Sequence, residues 1–239
     1  MRPNPRTTAR AVGILFLISY AGFAIGSVLL ASSLDPATSL ASIGASETQV
    51  IIGTLLSFLN VAAILGIAAL LFPLLRVHGE GVAVWYVGMR ILEGAAYLTG
   101  MIGTLSLLTL SREVIAGGMT ADGQVLRAVL VAQAEWAAHL ATPPFILGAI
   151  ALYALLYRSR LVPRFIAVWG LAAVASLTAG NVLAPELGGG FEPAMLLYLP
   201  IVANEVFLAV WLIVKGFTAS ASDGTATGQQ LAAQPAYEA

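Results

Sequence analysis

Six long apolar runs govern what this chain can fold into, at about 12–34, 50–75, 82–110, 128–156, 165–183 and 194–214. Crossing about 30 Å of hydrocarbon at 1.5 Å per residue takes roughly 20 apolar residues in a helix, and each run meets that length. Lipid offers backbone amides no partner, so a crossing segment must satisfy its own hydrogen bonds and becomes helical. The runs are continuous rather than alternating, which argues against a membrane β-barrel. The expected fold is all-α: a polytopic membrane protein built as a six-transmembrane-helix bundle. Composition agrees, because 59% of the 239 residues are hydrophobic and only 10% are charged, against about 25% charged in soluble proteins.

The third and fourth runs are long enough to require tilt or a protruding end. The first follows a short basic segment, as in a secretory signal, but it is longer than a signal's apolar core and more apolar segments follow, so it reads as a retained first span. Basic residues then orient the bundle. Arg2, Arg6, Arg10, Arg76, Arg158, Arg160, Arg164 and Lys215 fall on one side, and Arg112 and Arg127 on the other. Eight against two places both termini in the cytoplasm by the positive-inside rule. The organisation expected is a cytoplasmic N-terminus over 1–11, a membrane domain over 12–217, and a polar tail over 218–239 whose composition need not order itself.

Net charge is −1 and there is no basic field for nucleic acid. The absence of cysteine removes thiolate metal sites, disulfides and cysteine nucleophiles. The two histidines, His78 and His139, restrict haem and metal readings further, and no nucleotide loop, serine elbow or HExxH signature is present. No cofactor or metal is expected.

Ionisable residues inside the apolar runs carry what chemistry there is, since charge at depth is costly and usually faces the bundle interior or a wet cavity. On the third run Tyr86, Arg90, Glu93, Tyr97 and Thr104 share one helical stripe. Arg90 and Glu93 are spaced to neutralise one another, a structural role, while the forked guanidinium also suits an anion or carboxylate. On the fourth run Glu135 and His139 stack four residues apart, just before Pro143 and Pro144. Those prolines remove donors from the carbonyls of His139 and Leu140 and are expected to bend or open the helix. A packing kink and a binding site are both open readings. As metal ligands Glu135 and His139 supply only part of a set. The sixth run brings Asn204 and Glu205 to mid-depth beyond Pro200, and Glu205 has no basic neighbour on its own helix, so it needs a partner elsewhere or a proton. The candidate polar intramembrane site is thus Arg90, Glu93, Glu135, His139, Asn204 and Glu205. Trp136 is expected to wall it, and Gly22 and Gly26 form a small-xxx-small pattern that permits close helix packing.

With Arg10 before AVGILFLISYAG, Arg90-x-x-Glu93, the Glu135 region and NEVFLAVWLIVKGF over 204–217, the chain resembles a bacterial family of multi-helix membrane proteins catalogued as domain of unknown function 4386. The resemblance implies a small inner-membrane protein of six or seven helices and supplies no substrate, cofactor or reaction. His139 matches no family feature.

Three classes of function follow. A small permease or transporter-like protein would use the deep carboxylates and arginine as a polar chamber. A non-catalytic sensor or partner-binding protein would use them for packing. An intramembrane enzyme acting on a lipid-like substrate would use Glu135 or Glu205 as acid or base. The partners compatible with all three are the lipid bilayer, a small-molecule or lipid-like ligand and a second copy of the chain.

Overall fold

The computed structural model describes residues 4–35, 37–117, 122–183 and 191–218. Seven α-helices occupy them: α1 Pro5–Leu34, α2 Leu40–Ala45, α3 Glu47–Leu75, α4 Glu80–Ile115, α5 Asp122–Ser159, α6 Arg164–Leu183 and α7 Phe191–Val214, with a 3-10 turn at Arg76–His78. All but α2 are long and apolar enough to cross a membrane, and the described residues contain no strand. The chain is a multi-pass, all-α membrane protein. The C-terminal tail over 219–239, part of the connection between α4 and α5 and all of that between α6 and α7 lie outside the described residues.

The helices exceed the apolar runs that predict them, because a helix continues past the hydrocarbon wherever capping or charge suits it. α1 starts at Pro5, whose ring is pre-set for a first helical turn, and Asn4 accepts the Arg6 amide at 3.0 Å. α4 and α5 are the longest, 36 and 38 residues.

Two compact units divide the chain. The first takes the described parts of Met1–Phe16, Gly66–Gly88 and Ile146–Ala239; the second takes Leu17–Leu65 and Met89–Phe145. In the first, α6 packs along α7. Asn204 donates from Nδ2 to the Ile166 carbonyl at 3.0 Å and Ser176 donates to the Leu197 carbonyl at 2.9 Å. Tyr153, Leu152, Leu155, Ile166 and Leu208 are fully buried there.

In the second unit α1 and α3 approach closely. A β-carbon on Gly22 would lie 2.7 Å from the Leu56 carbonyl, and one on Gly26 would lie 2.9 Å from the Ser57 hydroxyl, so only glycine permits this spacing. Ser19 and Asn60 hydrogen-bond between the same helices at 2.6 Å. Leu30, Leu40, Ile43, Val50, Leu107, Leu108 and Val131 form one apolar cluster.

Helix α2, LASIGA within the polar connection DPATSLASIGASE, lies outside the six apolar runs. Ser39 caps it by accepting the Ser42 amide at 3.2 Å, and the helix turns Leu40 and Ile43 into the cluster. Arg127 donates to the Asp35 carbonyl at 2.7 Å, and Arg112 forms an ion pair with Glu47. Both arginines predicted for the less basic side thus have partners in this unit.

The prolines do not break their helices. α5 runs unbroken through Pro143 and Pro144, and α7 through Pro200. The helix therefore does not open beside His139: the chain stays helical on both sides of the two prolines. The Thr142 hydroxyl, 3.4 Å from the Ala138 carbonyl, adds a contact one step before the pair.

Candidate functional site

Arg90 and Glu93 form the buried ion pair of the second unit, where Arg127 is also buried. They lie one helical turn apart on α4, and Arg90 Nη1 donates to Glu93 Oε2 at 2.8 Å. Both side chains are buried, Arg90 4% and Glu93 3% exposed. Arg90 is ten residues past Glu80, the start of α4, and so about 15 Å along the axis, half the hydrocarbon thickness. This is the depth at which an uncompensated charge costs most.

The Phe145 ring of α5 faces the guanidinium, with its centroid 5.0 Å from Arg90 Cζ. The negative face of an aromatic ring attracts a cation, so the guanidinium is held between a carboxylate and a π-surface. Tyr97, one turn beyond Glu93, meets the Phe23 ring edge-on at 6.3 Å and extends the aromatic wall. Phe145 carries no sequence signal of this role. Only the unbroken course of α5 past the two prolines brings it to Arg90.

Glu135 and His139 are placed differently. Both side chains are exposed on α5, so they stand apart from the buried residues of the second unit. Trp136, 66% exposed, packs edge-on against His139 at 5.9 Å and lines no chamber. Helix length gives the physical reason. Glu135 is 23 residues before Arg158, about 35 Å along a continuous helix, and His139 is about 28 Å away. If Arg158 marks one membrane face, both residues lie near the other, where a polar tip and an apolar body are ordinary. Hydropathy puts them inside the fourth run because no break separates them from the apolar stretch.

Asn204 and Glu205 belong to the first unit. Asn204 is fully buried and ties α7 to α6 through the Ile166 carbonyl; Glu205 is 4% exposed. Glu205 is ten residues before Lys215, about 15 Å along the axis and again near mid-depth. Of the six sequence-derived site residues, four are therefore buried and two are exposed. Among the described residues no three His, Asp or Glu side chains gather as a metal site.

The first unit also holds an open apolar groove of about 550 Å³ between α5 and α6, lined by Ile150, Leu171, Val174, Thr178 and Val182 among others. It has no ionisable side chain and no catalytic geometry.

A family model described as Domain of unknown function (DUF4386) matches residues 11–216. No curated protein and no solved structure matches the chain.

Proposed function

The chain belongs to the DUF4386 family, a domain of unknown function, and on that premise we propose that it is a small permease-like membrane protein that recognises an anionic solute, a carboxylate or phosphate, through Arg90. The observation that carries this reading is a guanidinium 4% exposed at mid-depth, 2.8 Å from Glu93 and 5.0 Å from the Phe145 ring. A buried ion pair is a poor device for stability alone, since desolvation offsets most of its attraction and apolar residues of equal volume often do better. Its chemistry suits exchange. Glu93 holds the guanidinium while no solute is present, and an entering carboxylate or phosphate takes its place on the same planar donors.

Purified protein is screened by thermal shift against small carboxylates and phosphates, and stabilising compounds are then tested for uptake into proteoliposomes. R90Q should abolish both responses, whereas E93Q, which removes the internal competitor, should tighten binding. A compound bound equally well by R90Q, or proteoliposomes that take up no more than empty liposomes, overturns the proposal.

In this reading the protein sits in the bacterial inner membrane with both termini cytoplasmic, supported by the eight-to-two distribution of basic residues. Alkaline phosphatase fused after Phe217 should be inactive and fused after Glu192 active. The reverse pattern inverts the topology.

A second reading, a partner-binding membrane protein, is supported by the exposed α5 face of Glu135, Trp136, His139 and Leu140. The chain has no cysteine, so E135C gives a clean cross-linking probe. Oxidation to a disulfide-linked homodimer in membranes supports the contact, and a monomer by both cross-linking and light scattering refutes it for a second copy.

A further inference from the structure

One end of the first unit gathers positive charge from three separate segments. The turn between α5 and α6 carries Arg158, Arg160 and Arg164; α7 is followed by Lys215; α1 begins with Arg6. Hydrogen bonds and packing bring these segments together. Thr218, past the end of α7, donates to the Leu161 carbonyl through its amide at 2.9 Å and its hydroxyl at 3.3 Å. Gly216 ends α7 at φ +76, its amide reaching the Trp211 carbonyl at 3.3 Å, and a β-carbon there would lie 3.9 Å from Arg6 Cγ. The turn after α7 is thus bonded to the α5–α6 turn on one side and packed against the start of α1 on the other.

These segments carry no acid of their own, and, among the described residues, Glu80, at the start of α4 in the same unit, forms no ion pair with them. The sequence holds no Asp or Glu from 1 to 16, from 158 to 183 or from 206 to 218. The side chains of Arg6, Arg158, Arg160, Arg164 and Lys215 are exposed and form no ion pair among the described residues.

A charge that serves only to orient the chain acts during insertion and requires no particular backbone conformation. Arg160 has one: its φ is +53, the left-handed region, and it is the one non-glycine residue there among the described residues. A side chain with a β-carbon is disfavoured in that region, and glycine or asparagine is usual at the end of a helix. Arg164 is also fixed, its Cζ 4.9 Å over the Tyr157 ring. Two guanidinium groups are therefore presented from a turn that is itself hydrogen-bonded.

Beside them is an aromatic ridge. Phe165 meets Phe207 at 5.9 Å and Trp211 at 6.4 Å, and Trp169 meets Phe207 at 5.7 Å. Phe165 is 53% exposed. Rings that border water on one side and hydrocarbon on the other are suited to the headgroup level of a membrane.

We propose that the α5–α6 turn and the turn after α7 form a binding site for the phosphate headgroup of an acidic phospholipid, with the adjoining aromatic ridge seating its upper acyl segments. Guanidinium groups match phosphate oxygens in pairs, and basic residues close to a membrane surface are attracted to anionic lipid. The site does not include Arg90 and does not depend on the permease reading.

The full chain is reconstituted in nanodiscs containing equal phosphatidylglycerol and phosphatidylcholine, extracted gently, and its retained lipid counted by native mass spectrometry. The parent should retain phosphatidylglycerol over phosphatidylcholine by at least about fivefold. R160G removes the charge yet suits the left-handed backbone, so it should fold as well as the parent and lose about fivefold in that preference. R158Q/R164Q should lose more. R112Q, which removes one charge from the second unit, should lose nothing, and R160K should recover part of the R160G loss. Equal retention of the two lipids by the parent overturns the site, as does an R160G preference equal to the parent's. If millimolar inorganic phosphate displaces phosphatidylglycerol completely, the site belongs to a soluble anion and the lipid assignment fails.

Discussion

Replacing Glu93 by leucine removes the carboxylate that Arg90 bonds at 2.8 Å, about 15 Å along α4 from the nearer helix end. The pair is 2.8 Å apart, and its members are 4% and 3% exposed, so water does little to compensate the remaining charge. Breaking a buried pair from one side costs about 3–5 kcal/mol, a large share of the 5–15 kcal/mol by which folded domains are stable. Phe145 offsets only part of this, because a cation over an aromatic face gains about 0.5–2 kcal/mol. R90M should cost a comparable amount by orphaning Glu93. R90M/E93L removes both charges and fills similar volume, so it should lie within about 1 kcal/mol of the parent. The four proteins close a thermodynamic cycle, measured by equilibrium unfolding in one detergent. A coupling of about 3 kcal/mol or more is expected. Additivity within about 0.5 kcal/mol would refute the argument that each charge is kept in place by the other. The double variant also separates folding from function, since it should fold and bind none of the solutes that the parent recognises.

Three smaller tests follow. G170A sets a β-carbon into the fully buried Tyr153 ring and should cost about 1–3 kcal/mol as overpacking; Y153L should recover part of that loss in the double variant, and an unchanged G170A melting temperature would show that the ring can move. N204A deletes the 3.0 Å bond from α7 to the Ile166 carbonyl and leaves that carbonyl without its side-chain donor, at about 1–3 kcal/mol, whereas N204Q should not restore it because the amide is one methylene too far out. R112Q breaks an ion pair whose two side chains are 54% and 41% exposed and should barely move the unfolding midpoint, with the small effect vanishing at high salt; a clear, salt-independent loss would mean the contact is shielded.

The spans were legible because their physics is additive: about twenty apolar residues in a row leave few alternatives. Helix α2 was not, because a six-residue helix gains almost nothing from its own hydrogen bonds. It forms because Leu40 and Ile43 find Leu107, Leu108 and Val131, which lie more than sixty residues away in sequence. The continuity of α5 through its prolines was illegible for a related reason. Pro143 and Pro144 each remove one donor, a local penalty that a helix of 38 residues absorbs when its neighbours hold both sides.

The site was legible in half. Arg90 and Glu93 could be paired from sequence because a spacing of three on one helix fixes their separation within a single element. Glu135 and His139 share that kind of regularity, and the structure shows why it was insufficient. Spacing fixes which face two residues share, but not which way the face points or how deep it lies. Depth follows from counting to a helix end, and the end of α5 depends on whether the chain continues through Pro143–Pro144. Because it does, the distance from Arg158 carries Glu135 to about 35 Å, beyond a hydrocarbon layer of about 30 Å. Exposure of a carboxylate there is no anomaly, whereas exposure of Arg90 at about 15 Å would be. The same count explains why the charged residues of the α5–α6 turn remain uncovered: at a helix end water and headgroups solvate a guanidinium, and the fold need supply no carboxylate. Depth along an unbroken helix, more than hydropathy, therefore separates Arg90 and Glu93, which are buried, from Glu135 and His139, which are exposed, whereas Arg127, near the start of α5, is buried through its local bond to the Asp35 carbonyl.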